Sequence, residues 1–491
     1  MIETPLGDLL AYGVKTGLIE HGDVPYVRNR VLEVLAVSDY DLASEGTGGA
    51  GSIDDLLAPL LDDAASRGLI DPDTAIQRDL WDTAIMGCFV QRPSWVQHRF
   101  WDDYAQSPQT ATDRFHADAV ASNYIRVTRT DRNVTWTYPS VYGELDMTIN
   151  LSKPEKDPRD IIAAAASGPG ASYPACLLCR ENEGYAGRAD HPARQNLRLI
   201  DLDLTGERWY LQYSPYRYYN EHCIVLSEEH RPMVISPATF RRLAQFTAVL
   251  PHYLAGSNAD LPIVGGSILS HDHYQGGCYE FPMDRATTLW SEQRDGVTVS
   301  VLHWPLAVIR VTGADDAVLA LADRVLAAWR EHSDPGRGVL AYSGEVPHNT
   351  ITPIARRVDG QLRLDLVLRN NRTSNEHPDG IYHPHAEIHP IKKENIGLIE
   401  VMGLAVLPDR LQRELRTVAD CLISGEDLPD EAQAHAPMLE LMRAQGPARA
   451  SQDALDRCRA AASQFFVQGL EHCGVFGSDV VAGCQQFLKH V

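Results

Sequence analysis

The chain has 491 residues, with 44 basic against 66 acidic side chains for a net charge of −22, and is 44% hydrophobic and 22% charged. Length gives a prior of two to four units of roughly 150 residues each, and the apolar share is that of a globular protein with a sizeable core. The negative charge opposes non-specific attraction to nucleic acid or anionic membrane, and no window approaches the ~20 apolar residues that cross a bilayer.

The N-terminus MIETPLGDLLAYG has no basic, apolar and small-residue leader pattern, so a cytoplasmic protein is expected. Residues 1–165 read as mainly helical. IDDLLAPLLDDAASRGLI spaces its leucines at helical period and DTAIQRDLWDTAIMGCFV continues it. EGTGGAGS at 45–52 is a linker; a phosphate-cradling P-loop needs a Lys-Ser/Thr pair opening a helix, and none follows. AAAASGPGASYP is small-residue and turn-rich, a boundary. Beyond it RWYLQYSPY, HCIVLSEEH, VTVSVLHWPLAVIRV and LRLDLVLRN are short, β-branched or aromatic runs that read as strands, and VLALADRVLAAWREH is an amphipathic helix among them. The expected class is α+β, with mixed segments at 166–300 and 301–405 and a helical region at 406–491. There Leu411, Leu415, Val418 and Leu422 share a helix face that ends at a capping glycine, and ALDRCRAAASQFFVQGLEH forms a second helix.

Three constellations carry chemistry. In DLPIVGGSILSHDHYQGG, the apolar Ile263, Val264, Ile268 and Leu269 mark strand, which puts His271, His273 and Gln275 on one face. A neutral imidazole is a good nucleophile toward phosphorus, and neighbouring glycines let backbone N–H groups approach phosphate oxygens. Gln275 can donate to such an oxygen without adding charge. The bland alternative is a solvated polar strand face.

Cys176 and Cys179 have the spacing of half a tetrahedral zinc site, and histidines must complete the set, with His230 and His271 as candidates. Redox use or simple burial of two thiols is the competing reading. In YHPHAEIHP, His383, His385, Glu387 and His389 alternate, so they too read as one strand face, able to hold a second metal or to bind substrate. A polar rim with surface lysines is the alternative. The two His-x-His runs suggest a duplicated half-domain.

DLPIVGGSILSHDHYQGG, YPACLLCRENEGYAGR, WYLQYSPYRYYNEHCIVLSEEHRPM and IYHPHAEIHPIKKENIGLIEVMGLAVLP together resemble the class II galactose-1-phosphate uridylyltransferases, of the histidine triad superfamily. The resemblance covers at least residues 173–410. It implies two histidine-triad-like halves with mostly antiparallel sheets, flanked by helical ends. It further implies that His273 is the nucleophile, that Gln275 contacts the transferred phosphate, and that Cys176, Cys179, His230 and His271 hold a structural zinc ion. By the same resemblance, Lys393 falls where class I has a lysine near the acceptor phosphate, and His385 with Glu387 matches part of a second metal site of some class I enzymes. Asp272 replaces the proline of class I, and Ser270 precedes His271 where class I again has proline.

The implied reaction is a ping-pong exchange of UMP between UDP-glucose and galactose 1-phosphate through a uridylyl-histidine, without an organic cofactor. Backbone N–H groups near Gly265, Gly266 and Ser267, with Ser270 and Lys393, are the expected phosphate ligands. Rivals are a histidine-triad hydrolase or phosphorylase, which discharges the same intermediate to water or phosphate, and a non-catalytic zinc-stabilised binding module. N-acetylgalactosamine 1-phosphate is the alternative acceptor, and a homodimer is a family-level expectation.

Overall fold

The computed structural model describes residues 2–49, 51–152, 173–448 and 450–491. Most of the small-residue stretch read as a boundary therefore lies outside the described residues. The chain divides into two compact units, Met1–Arg132 with Ser152–Arg231, and Asn133–Leu151 with Pro232–Val491. The class is α+β.

In the first unit, amphipathic helices at Glu3–Thr16, Val24–Val34, Ile53–Ser66 and Ala75–Gly87 bury Leu6, Leu9, Leu57, Leu60, Ile85 and Met86 in one cluster. Ser52 opens the third of these helices. Its side chain accepts from the Asp55 N–H while Asp55 bonds back to the Ser52 N–H, which satisfies two donors that a helix start leaves unpaired. The unit also carries antiparallel strands Ile200–Leu204, Glu207–Tyr213 and Cys223–Ser227. The first two are joined by Thr205 and Gly206 at φ 60° and 79°, the backbone of a tight two-residue hairpin turn.

The second unit holds a run of strands in the order His273–Gly277, Leu254–Gly256, Asn349–Val358, Gln361–Asn370, Val308–Gly313, Val297–Leu302 and Thr288–Arg294, every adjacent pair antiparallel. Helices Pro237–Val249 and Asp315–Glu331 pack on each other and on Asn349–Val358. Arg410–Ser424 ends at Gly425 in the left-handed conformation, as its sequence predicts. It packs on the long helix Ser451–His472, which also touches the turn at 386–388.

One local expectation gains a detail and two are corrected. The stretch read as mainly helical turns to strand after Thr130, in a hairpin of Val134–Ser140 and Gly143–Ile149 joined in parallel by Leu404–Leu407. Its alternation of Thr135 and Thr137 with Trp136 and Tyr138 was a strand signal. Ile263, Val264, Ile268 and Leu269 form no strand. Residues 261–264 turn, Gly265 makes one isolated bridge to Ala259, and the strand begins only at His273. Pro262 and two glycines interrupt the run, and Ile263 sits at φ 76°, a costly backbone for a β-branched residue. Finally, His383, His385, Glu387 and His389 do not share a strand face, because Ala386–Ile388 is one turn of 3-10 helix. Pro384 and Pro390 favour this outcome, since each removes a ladder donor.

Candidate active site

His271, Asp272 and His273 are all buried, at 1%, 6% and 6% exposure. His273 opens the strand His273–Gly277, which pairs with Leu254–Gly256 so that Gln275 lies opposite Gly256. His273 and Gln275 therefore share a face as expected, whereas His271 precedes the strand. The His273 Nδ1 lies 2.8 Å from the His271 carbonyl oxygen. A carbonyl only accepts, so Nδ1 carries the proton and the lone pair of the neutral ring sits on Nε2. Burial pushes the imidazole down to about 4, against the pull of that carbonyl, so the ring is neutral near pH 7.

The loop before the histidines is fixed by polar side chains outside any motif, of which Asn258 is buried and Asp260 and Asn395 are half-buried. Asp260 accepts from the Ile235 N–H at 2.8 Å and from the Thr350 hydroxyl at 2.5 Å. Asn258 Oδ1 accepts from the Leu398 N–H at 2.8 Å, and Asn395 Nδ2 donates to the Gly265 carbonyl at 3.2 Å. Glycine is required where these meet. A Cβ on Gly265 would lie 2.6 Å from the Ala259 oxygen, and one on Gly266 2.7 Å from Asn258 Nδ2. Gly265 is buried and Gly266 half-buried, while Ser267 and Ser270 are exposed. Lys393 is exposed as well, whereas its neighbour Lys392 is buried.

In the first unit, Cys176 Sγ and Cys179 Sγ are 3.5 Å apart and Cys179 Sγ is 3.1 Å from His230 Nδ1. Ligand atoms of all three lie within 4.8 Å of one another. The edges of a zinc tetrahedron follow from bonds of about 2.0 to 2.3 Å, and separations of this size fit them. Asn182 supports the turn, its Nδ2 donating to the Cys176 and Cys179 carbonyls at 2.8 Å each. His271, the remaining expected ligand, belongs to the second unit.

His385 and Glu387 are brought together with His472, all three within 4.8 Å by their ligand atoms. His377, His385 and His472 stack, with ring centroids 3.9 and 4.0 Å apart. His472 comes from the end of the helix Ser451–His472. No sequence spacing linked it to a residue so far upstream. The His385 Nε2 is 3.0 Å from the Ile381 carbonyl oxygen, so its lone pair is on Nδ1.

Among the described residues no helix is long and apolar enough to cross a membrane. The family described as galactose-1-phosphate uridyl transferase, N-terminal domain, matches residues 19–232, and its C-terminal domain matches 247–436. The chain is 51% identical over 433 residues to a galactose-1-phosphate uridylyltransferase of Clostridium acetobutylicum, covering 86% of this chain and 85% of that one. It is 46% identical over 498 residues to the protein of that name from Bacillus subtilis, covering 99% and 96%. A crystal structure of yeast Ap4A phosphorylase Apa2 aligns with 65% of this chain and 91% of that one at 10% identity and TM-score 0.35, too slight a likeness to bear on the fold. With both domains matched and relatives of this similarity along nearly its whole length, the chain belongs to the galactose-1-phosphate uridylyltransferase family.

Proposed function

We propose that the chain moves UMP between UDP-glucose and galactose 1-phosphate in two steps, with His273 Nε2 as the nucleophile. The observation that carries this is the tautomer set by the His271 carbonyl, 2.8 Å from His273 Nδ1. It holds the proton on Nδ1 and leaves a lone pair on Nε2. In the first step that lone pair attacks the α-phosphorus of UDP-glucose, the P–N bond forms, and glucose 1-phosphate departs with the bridging oxygen. In the second, a phosphate oxygen of galactose 1-phosphate attacks the same phosphorus and the P–N bond breaks. The oxygen that departs in the first step and the oxygen that attacks in the second both belong to phosphates, so the reaction needs little general-acid help. Positioning and charge stabilisation do most of the work.

Gln275 shares the face of His273 and contributes an amide donor to a non-bridging oxygen. The backbone at Gly265, Gly266 and Ser267 supplies N–H donors, with Ser270 beside it. Exposed Lys393 is free to swing toward the acceptor phosphate.

Zinc is the metal that the donor set Cys176, Cys179 and His230 suits, with His271 as the fourth ligand; its role is structural. His385 and Glu387, joined by His472, are the residues for a second metal ion. The two histidine-triad-like halves, the four-segment division at 165, 300 and 405, a homodimer and a cytoplasmic location complete the reading.

Initial-rate kinetics test it. Varying UDP-glucose against galactose 1-phosphate gives parallel double-reciprocal lines if an intermediate forms between the two substrates. UMP released to water without acceptor, at the rate of UDP-glucose consumption, assigns the hydrolase instead. Running the same series with N-acetylgalactosamine 1-phosphate fixes the acceptor.

A further inference from the structure

Lys392, Glu400 and Arg369, at 7%, 8% and 1% exposure, are among the buried charged side chains that the transfer chemistry leaves unused. Lys392 Nζ donates to Glu400 Oε1 at 2.9 Å and to the Val406 carbonyl at 3.2 Å. Its other carboxylate neighbour, Glu394, is 3.7 Å away. An apolar pair of similar volume is often at least as stable as a buried ion pair, so stability alone gives no reason for these charges. Direction does. The second carboxylate oxygen, Glu400 Oε2, accepts from the Gly397 N–H at 3.1 Å.

The residues on either side of Gly397 are held in the same way. The Ile396 carbonyl accepts from Arg369 Nη2 at 3.0 Å, and the Leu398 N–H donates to Asn258 Oδ1 at 2.8 Å. Three successive residues are thus each pinned by a buried side chain from a different part of the unit. This anchor meets the loop before the histidines at several places. A Cβ on Gly266 would sit 2.7 Å from Asn258 Nδ2, the Gly265 carbonyl accepts from Asn395, and a Cβ on Gly256 would sit 2.9 Å from Leu398 Cδ1. Gly256 in turn pairs with Gln275.

We propose that the buried Lys392–Glu400 pair is a positioning device for phosphoryl transfer: through Gly397 and Leu398 it fixes the Asn258 amide, and through Asn258 the backbone at Gly265–Gly266 that receives the transferred phosphate. The inference rests on the uridylyl-transfer reading of that loop. Lys392 and Glu400 act through other groups and are positioning residues. Of the paired lysines, the buried one shapes the site and the exposed one is left for ligand.

The test uses the full-length chain with Glu400→Gln, Asn258→Ala and the double variant. Three quantities are read: the single-turnover rate of labelling by UDP-glucose, the KM for UDP-glucose, and amide hydrogen exchange at Gly265 and Gly266. Glu400→Gln is expected to slow labelling about 10- to 100-fold with KM changed less than about threefold, because misplacement costs rate more than binding. Exchange at both glycines quickens. The double variant labels within about threefold of the slower single variant, since one chain is cut twice. Losses that multiply, or a rate that falls only with the unfolded fraction, overturn the proposal. If Glu400→Gln does not fold, Asn258→Ala cuts the chain one link on and leaves the ion pair intact. If the unaltered chain takes no label at all, the transfer reading has failed. The exchange comparison still decides the coupling, and unchanged protection in Glu400→Gln overturns it.

Discussion

The two His-x-His runs of the second unit have the same spacing and opposite fates. In 271–273 the second histidine opens a strand, both rings are buried, and one backbone carbonyl orients His273. In 383–389 prolines flank the histidines, the backbone turns, and ring nitrogens of His383, His385 and His389 lie 3.0 to 3.1 Å from carbonyl oxygens of Pro384, Ile381 and Pro384. The first arrangement poises one nitrogen for attack; the second uses its imidazoles to fasten a turn and to stack on His472. Alternation of residue types supplies candidates, and the hydrogen-bond partner of each ring decides what a candidate can do.

The sharpest way to break this contrast is to remove the poised ring. His273→Ala is expected to abolish UMP exchange, with a loss of roughly 10⁴-fold or more in kcat, as for other nucleophiles whose role no neighbour can take over. Retention of even a tenth of the rate moves the nucleophile elsewhere. Gln275→Ala is expected to cost about 100-fold in kcat, the scale of one preorganised donor to a transition-state oxygen, measured under saturating substrates.

Metal removal probes the thiol cluster. Dialysis against a chelator is expected to strip about one zinc per chain and lower the thermal midpoint by about 5 °C or more, with recovery on adding zinc. A metal-free chain with an unchanged midpoint means the cysteines pack without an ion. The smallest effect belongs to the second run. His389→Ala, which loses only a ring contact to the Pro384 carbonyl, should leave kcat within about threefold.

Much of this contrast was legible in advance. Helices such as Ile53–Ser66, Asp315–Glu331 and Arg410–Ser424 follow from apolar periodicity and caps, and the strands around Trp209, Val225, Val299 and Leu366 from β-branched runs. The nucleophile candidate stood out because imidazoles, an amide and glycines crowd within a few residues. What did not show was the shape of the backbone around it. The apolar residues of PIVGGSIL suit a strand, yet Pro262, the glycines and the bonds from Asn258, Asp260 and Asn395 hold a loop there. Those partners are polar residues with no motif of their own, made informative only by the backbone groups that tertiary packing brings to them. His472 and Glu400 were hidden for the same reason: their meaning lies in groups brought near by tertiary packing.

Everything in this chemistry depends on a bond from His273 Nε2 to phosphorus. Incubating the chain with UDP-glucose alone, quenching in alkali and weighing the intact protein tests this most directly, with the adduct located afterwards by peptide mapping. The expected result is one acid-labile uridylyl group per chain on the peptide that carries His273, discharged by galactose 1-phosphate and absent from His273→Ala. An adduct on another residue, or full exchange activity with no adduct under any quench, would contradict it.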